Sequence, residues 1–199
     1  MPKRVVLATR NAHKIGELRA ILADLGVDVD LVGMADYPDV PDVAETELTF
    51  AGNALLKAVA VAEATGLPAV ADDSGICVDA LNGMPGIFSA RWAGKHGDDA
   101  ANLDLLLAQV SDVPDEHRGA AFVCAAALAV PGGRRVVEEG RIDGLLLRER
   151  HGEGGFGYDP IFRPRGYEVS TAELTAEAKN RISHRRRAFA ALAPHLRND

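Results

Sequence analysis

Between Ala69 and Val78 two apolar runs, Ala69-Val70-Ala71 and Ile76-Cys77-Val78, close on Asp72-Asp73-Ser74-Gly75. Short apolar runs bounded by turn signals read as buried strands. The first run therefore delivers two adjacent carboxylates to the rim of a core. Ser-Gly behind them is turn chemistry, so the expectation is a strand, a turn at Ser74-Gly75 and a second short strand. A loop punctuated by Gly and Pro follows and ends in Ser89-Ala90-Arg91-Trp92. Paired acids at a strand end are where a metal and a nucleophilic water are handled, and the stretch reads as a catalytic floor.

The rest of the chain supplies the layers around it. Arg4 to Ala8 reads as a first buried strand running into Thr9-Arg10-Asn11-Ala12-His13-Lys14. Ile15, Leu18, Leu22 and Leu25 then repeat at helical spacing until Gly26. A strand that enters a helix through a polar loop leaves free N–H groups at the helix start, which suit an anion. Lys14 in the first turn opposes the helix dipole and makes sense if phosphate binds there; the alternative is an ordinary strand–loop–helix. Val29 to Val32 is a candidate second strand, and Asp36 to Glu47 a polar loop rich in carboxylates. A second helix is expected over about Thr49 to Ala64, with Asn53 and Lys57 on one face at i and i+4.

Beyond the central stretch, Asp98 to Val110 reads as an amphipathic helix. Ala120 to Val130 and Arg134 to Leu147, joined by Pro131-Gly132-Gly133, read as a hairpin of long strands. The alanine-rich first run also admits a buried helix, but the Pro-Gly-Gly turn and the Val-Val pair behind it favour strand. His151 to Pro160 contains a literal G-x-G-x-x-G, yet Ile161-Phe162-Arg163 behind it is strand-like. A dinucleotide loop needs a helix there, so the glycines read as hinges of a loop that carries Phe156. Thr175 is a candidate N-cap, and Ser183 a cap for a last helix whose apolar face includes Phe189, Leu192 and Leu196. No repeat or linker composition interrupts the 199 residues, and a single domain over 1–199 is expected.

Composition excludes some partners. The formal net charge of −7 argues against non-specific binding to nucleic-acid polymers, although Lys179 to Arg187 concentrates basic side chains. No stretch approaches a membrane span or a signal peptide. Cys77 and Cys124 sit apart in apolar runs and read as small buried hydrophobes of a reducing compartment. A cytoplasmic location is expected.

TRNAHK, ETELTF, ADDSG, PGIFSAR, GGFGYDPIF and AELTAEAKNRISHR follow one another in this order from Val5 to Arg186. In that order and spacing they resemble the inosine triphosphate pyrophosphatase family, the XTP/dITP diphosphatases. The resemblance implies an α/β fold: an elongated mixed sheet in two lobes with the active cleft between them, usually a homodimer. It implies Mg2+-dependent hydrolysis of ITP, dITP and XTP at the α–β phosphoanhydride, giving the monophosphate and pyrophosphate and clearing deaminated purines from the nucleotide pool. Carried over by motif, Asp73 is the catalytic residue, and Asp73 and Glu45 are the metal-associated carboxylates. Thr9, Arg10, Asn11, Ala12, His13 and Lys14 hold phosphate. Ser74, Phe156, Gly157, Tyr158, Asp159, Lys179, His184 and Arg185 contact substrate. Glu47 departs from the glycine frequent in relatives, and Ala44 from a second acid found in some.

The chemistry fits these residue types. Mg2+ takes one or two carboxylates plus phosphate oxygens and keeps several waters. Adjacent residues of a strand point to opposite faces, so Asp73 is expected to face the reaction and Asp72 to orient the turn or a lysine. Lys14 and Lys57 offset phosphate charge. Donors on Lys179 or Arg185 suit a keto group at C6 and oppose an amine there, while Phe156 offers a stacking face. A Maf-like nucleotide pyrophosphatase and a non-catalytic nucleotide-binding module are the rival readings; turnover across a nucleotide panel separates them.

Overall fold

The computed structural model describes residues 2–10 and 12–197, and of residues 12 and 13 only the backbone. The described residues build a mixed α/β fold on one six-stranded sheet of order β2-β1-β3-β4-β5-β6. Strand β1 (Lys3–Leu7) and strand β2 (Val29–Gly33) pair in parallel, Val5 opposite Leu31, with helix α1 (Ala12–Asp24) as the crossover. Parallel neighbours require such a crossover. Strand β3 (Ala69–Val78) adds in parallel on the other side of β1, Val6 opposite Ala69, after helix α2 (Phe50–Thr65). Thr49 caps α2, its hydroxyl accepting from Gly52 N at 3.0 Å.

Strand β3 is continuous over ten residues, and this corrects the expected turn at Ser74-Gly75. Gly75 is there for a different reason. A Cβ at that position would stand 2.4 Å from Gly86 O and 2.3 Å from Ser89 Oγ. The loop after β3 folds back onto the strand, Ser89 Oγ accepting from Ile76 N at 2.9 Å and donating to Gly86 O at 2.6 Å. Glycine inside a strand marks this close backbone approach. The local sequence carried the right residue, and tertiary contact decided its use.

Helix α3 (Asp99–Gln109) precedes strand β4 (Gly119–Ala129) and strand β5 (Arg135–Leu146), neighbours in the sheet joined by a turn too short for anything but a hairpin. The alternation on β4 settles strand over helix. Cys124, Ala126 and Leu128 join the core against α1, whereas Ala125, Ala127 and Ala129 join the core against α2. A period of two with small side chains brings helices close to both faces. Strand β6 (Phe162–Pro164) pairs antiparallel to β5. Helix α4 (Ala176–Ile182), capped by Thr175 through Ala178 N at 3.1 Å, ends at extended Ser183, and helix α5 (His184–Arg197) follows.

Two compact units share this sheet. The first is Met1–Asp73, Cys124–Gly140 and Arg185–Asp199; the second is Ser74–Val123 and Arg141–His184. In the first, one core lies among β1, α1 and α5 (Val5, Leu18, Leu22, Phe189, Leu192) and another beneath α2 (Val6, Ala54, Ala58, Val61). The second has its own core, including Ile76, Val78, Leu103, Leu106, Ile161 and Phe162. Among the described residues no helix is long and apolar enough to cross a membrane.

Candidate active site

The parity of β3 sends its two acids to different helices. Val70 packs with α1 and α5 while Ala69 and Ala71 pack with α2. Asp72 shares the side of Val70 and Asp73 the side of Ala71, the opposite-face geometry expected of neighbours on a strand.

On the α1 and α5 side Asp72 is almost fully buried, and Arg185 Nε and Nη2 both donate to its Oδ2, at 3.1 and 3.0 Å. Arg185 Nη1 donates to Glu17 Oε2 at 2.8 Å, and Lys14 Nζ lies 3.6 Å from Asp72 Oδ2. Burial alone would raise the Asp72 pKa, but the charges of Lys14, Arg185 and Lys57 and the Arg185 hydrogen bonds outweigh it and hold the group well below the usual carboxylate range. Asp72 and Glu17 in turn raise the Arg185 pKa against its own burial. Asp72 is a permanently ionised structural anion. All three guanidinium nitrogens of Arg185, expected to read the base, are engaged by Asp72 and Glu17.

On the α2 side the balance is reversed. Asp73 is buried, and desolvation pushes its carboxyl up to about 6, with Glu45 and Asp72 adding to the rise and Lys57 opposing it. The amide of Asn53 also opposes the rise, although neither Asn53 Nδ2 nor Asp73 Oδ2 completes a hydrogen bond of ordinary geometry. Lys57 Nζ bridges the two acids, donating to Glu45 Oε1 at 2.7 Å and lying 3.9 Å from Asp73 Oδ1. Asn53 Oδ1 accepts from Glu47 N at 2.9 Å and so anchors the acidic loop to α2. The result is a carboxyl poised near neutrality, with an unpartnered oxygen, beside a second carboxylate and an ammonium. Poised groups of this kind gather at sites of proton transfer.

These donors suit a hard divalent cation, being all oxygen, and the unpartnered Asp73 Oδ2 has capacity to spare. Among the described residues no three His, Cys, Asp or Glu side chains form a ready cage.

The loop before α1 is only partly described. Asn11 lies outside the described residues, as do the side chains of Ala12 and His13. Thr9 bonds through its backbone, its N donating to Leu7 O and its O accepting from Met34 N. Arg10 fastens the segment that leads toward Glu45, donating to Met34 O at 3.1 Å, Val40 O at 2.6 Å and Asp42 Oδ1 at 2.9 Å. Lys14 faces Asp72, and Ser74 is half-buried.

The second unit gathers the other expected contacts around one buried acid. Asp159 Oδ2 accepts from Phe156 N at 2.8 Å and pairs with Lys179 Nζ, and Thr171 donates to Asp159 Oδ1 at 2.8 Å. Gly155, at φ 72°, has no room for a side chain: a Cβ would stand 2.1 Å from Asp159 Oδ2. Phe156 is 60% exposed, with Lys179 Nζ 4.9 Å from its ring centre. Tyr158 is buried and donates to Ser89 O at 2.8 Å, while Gly157 N donates to Asp99 Oδ2 at 2.9 Å. The His184 ring stacks on Phe122 at 5.1 Å.

Sequence reasoning passed over Glu17, Asp99 and Phe122. Glu17 stands three residues from Lys14 on α1, a spacing that places both on one face; nothing local marks Asp99 or Phe122.

Comparison with known proteins identifies the family of the chain. The model of the Ham1 family matches residues 5–195. A protein of Streptomyces coelicolor named dITP/XTP pyrophosphatase is 68% identical over 194 residues, covering 98% of this chain and 97% of that one. The crystal structure of a Mycobacterium abscessus dITP/XTP pyrophosphatase is 55% identical with a TM-score of 0.81, over 96% of this chain and 99% of that one. The structure of a HAM1 protein from Coxiella burnetii is 38% identical with a TM-score of 0.90, over 99% of this chain and 100% of that one. The chain belongs to the Ham1 family.

Proposed function

We infer that this protein is a nucleoside-triphosphate diphosphatase that hydrolyses dITP, ITP and XTP to the monophosphate and pyrophosphate, removing deaminated purines from the nucleotide pool. The observation that carries the reading is Asp73, raised to about 6 with Oδ2 unpartnered, beside Glu45 and Lys57 in a chain 68% identical to a protein named for this reaction. Near neutral pH Asp73 is largely ionised yet close enough to its pKa to accept a proton at Oδ2 from the attacking water. Lys57 and Lys14 offset charge on the phosphates. Mg2+ held by Asp73 and Glu45 would neutralise the phosphate oxygens further when bound. Arg185 and Lys14 keep Asp72 ionised behind Asp73, and Glu17 holds the Arg185 guanidinium in place.

The same reading assigns recognition of the base to Phe156, Lys179 and His184. The exposed Phe156 ring offers a stacking surface, and Lys179 and His184 offer N–H donors. A donor facing C6 pairs with the keto group of hypoxanthine or xanthine and meets only another donor in adenine. Sites that hydrogen-bond a substrate group reject the analogue lacking it by on the order of 10⁴. A cytoplasmic homodimer belongs to the same reading, to be checked by sedimentation and fractionation. The test of function is pyrophosphate release from dITP, XTP, dGTP and dATP with and without Mg2+. dITP and XTP should be cleaved far faster than dATP, and only with the metal; equal rates on all four refute the assignment.

A further inference from the structure

We propose that Asn53 is a positioning residue that orients the Asp73 carboxylate through its side-chain N–H while its oxygen anchors the acidic loop, in support of the hydrolysis inferred above. The chemistry of the amide carries this. Asn53 is 0% exposed and sits on α2 one turn before Lys57. Its Oδ1 accepts from Glu47 N at 2.9 Å, which fixes which end of the amide is which, because a flipped amide would set N–H against N–H. The donor end, Nδ2, is left buried without a hydrogen-bond partner.

A buried unpartnered donor is uncommon in a folded protein. Here an unpartnered acceptor, Asp73 Oδ2, is buried as well, and Lys57, one turn further along the same face of α2, lies 3.9 Å from the other oxygen of that carboxyl. A bond from Nδ2 to Oδ2 would satisfy both. A carboxylate oxygen has two lone-pair directions, so one bond from Asn53 fixes the rotation of Asp73 and leaves the second direction for water or a cation. Because Oδ1 holds Glu47, two residues from Glu45, the same amide ties the placement of Asp73 to that of the second carboxylate. Lys57 then sets the charge between them. A simple helix-to-loop pin would need only Oδ1.

The proposal rests on the hydrolytic reading, and the experiment separates the two. Asn53→Leu, similar in shape, removes both bonds; Asn53→Asp keeps an acceptor for Glu47 N and removes the donor. Mn2+ affinity is measured without nucleotide by electron paramagnetic resonance, and kcat and KM are measured for dITP with Mg2+. Loss of a residue that orients a metal-associated ligand typically costs roughly 10- to 100-fold in affinity or activity. Asn53→Leu should weaken Mn2+ binding and lower kcat by factors in that range. The same substitution made in Asp73→Asn should change Mn2+ affinity by a clearly smaller factor, because only the part that runs through Glu47 and Glu45 remains. Asn53→Asp should lower kcat with KM little changed, and it carries the test if Asn53→Leu does not fold. Additive effects on Mn2+ affinity, or a wild-type kcat in Asn53→Asp, overturn the proposal. A wild-type protein that releases no pyrophosphate from dITP refutes the hydrolytic reading instead, while the Mn2+ cycle still decides the role of Asn53.

Discussion

Asp72 and Asp73 are neighbours in sequence, yet they meet different helices and should give opposite phenotypes when altered. A carboxyl held at about 6 in the folded protein, above its unfolded value, is ionised at pH 7–8 at a cost to the fold. Asp73→Asn should therefore lower turnover of dITP by at least ~10², as expected for loss of an acid–base group, with no fall in Tm. Near-normal turnover would remove Asp73 from the chemistry. Arg185 is the reverse case. Its side chain and that of Asp72 are each 5% exposed, and removing one partner of such a pair commonly costs about 3–5 kcal/mol. Arg185→Ala should therefore lower Tm by at least about 6 °C in a chain of this size, before any question of base selectivity arises. An unchanged Tm would show that the guanidinium is held less firmly than its three bonds imply. The motif marked Arg185 as a residue that matters, but only packing shows that it faces a carboxylate.

The elements were legible wherever local chemistry decided them. Thr49 caps α2 and Thr175 caps α4, and the hairpin of β4 and β5 turns at Pro131-Gly132-Gly133. The long strand β3 was not legible, because Ser74-Gly75 has the composition of a turn and only the returning loop at Gly86 and Ser89 shows why glycine is needed. The two reasons for a glycine can be separated by experiment. Gly75→Ala drives a methyl against Gly86 O and should destabilise by about 1–3 kcal/mol or more, as overpacking does. Gly16 lies inside α1 with nothing within 4 Å of an added Cβ. Gly16→Ala should stabilise by up to about 1 kcal/mol, since glycine only costs helix propensity there. Denaturant unfolding of both variants checks the pair, and equal effects would contradict the assignment of Gly75 to close approach.

At the scale of the whole molecule, no linker or change of composition announces two units, because three of their boundaries fall inside strands and the fourth at the first residue of α5. β3 passes from the first unit to the second at Asp73, β4 returns at Cys124, and β5 crosses again after Gly140. A chain read in order shows one domain, and the interleaving appears only once the strands are paired. Helix α5 is what completes the first unit. Helix α5 contributes Ala188, Phe189, Leu192, Ala193 and Leu196 to the core shared with α1, together with Arg185 for Asp72. Burying Phe189, Leu192 and Leu196 alone contributes about 1.5–3 kcal/mol each, a sum comparable with the 5–15 kcal/mol by which a whole domain is stable. A chain stopped after Ser183 should therefore lose cooperative thermal unfolding and expose apolar surface that binds a hydrophobic dye. Supplying residues 184–197 as a separate peptide should restore a transition if the remaining chain keeps the complementary face. A truncated chain that unfolds cooperatively at the Tm of the full protein would show that α5 lies on the first unit without holding it together.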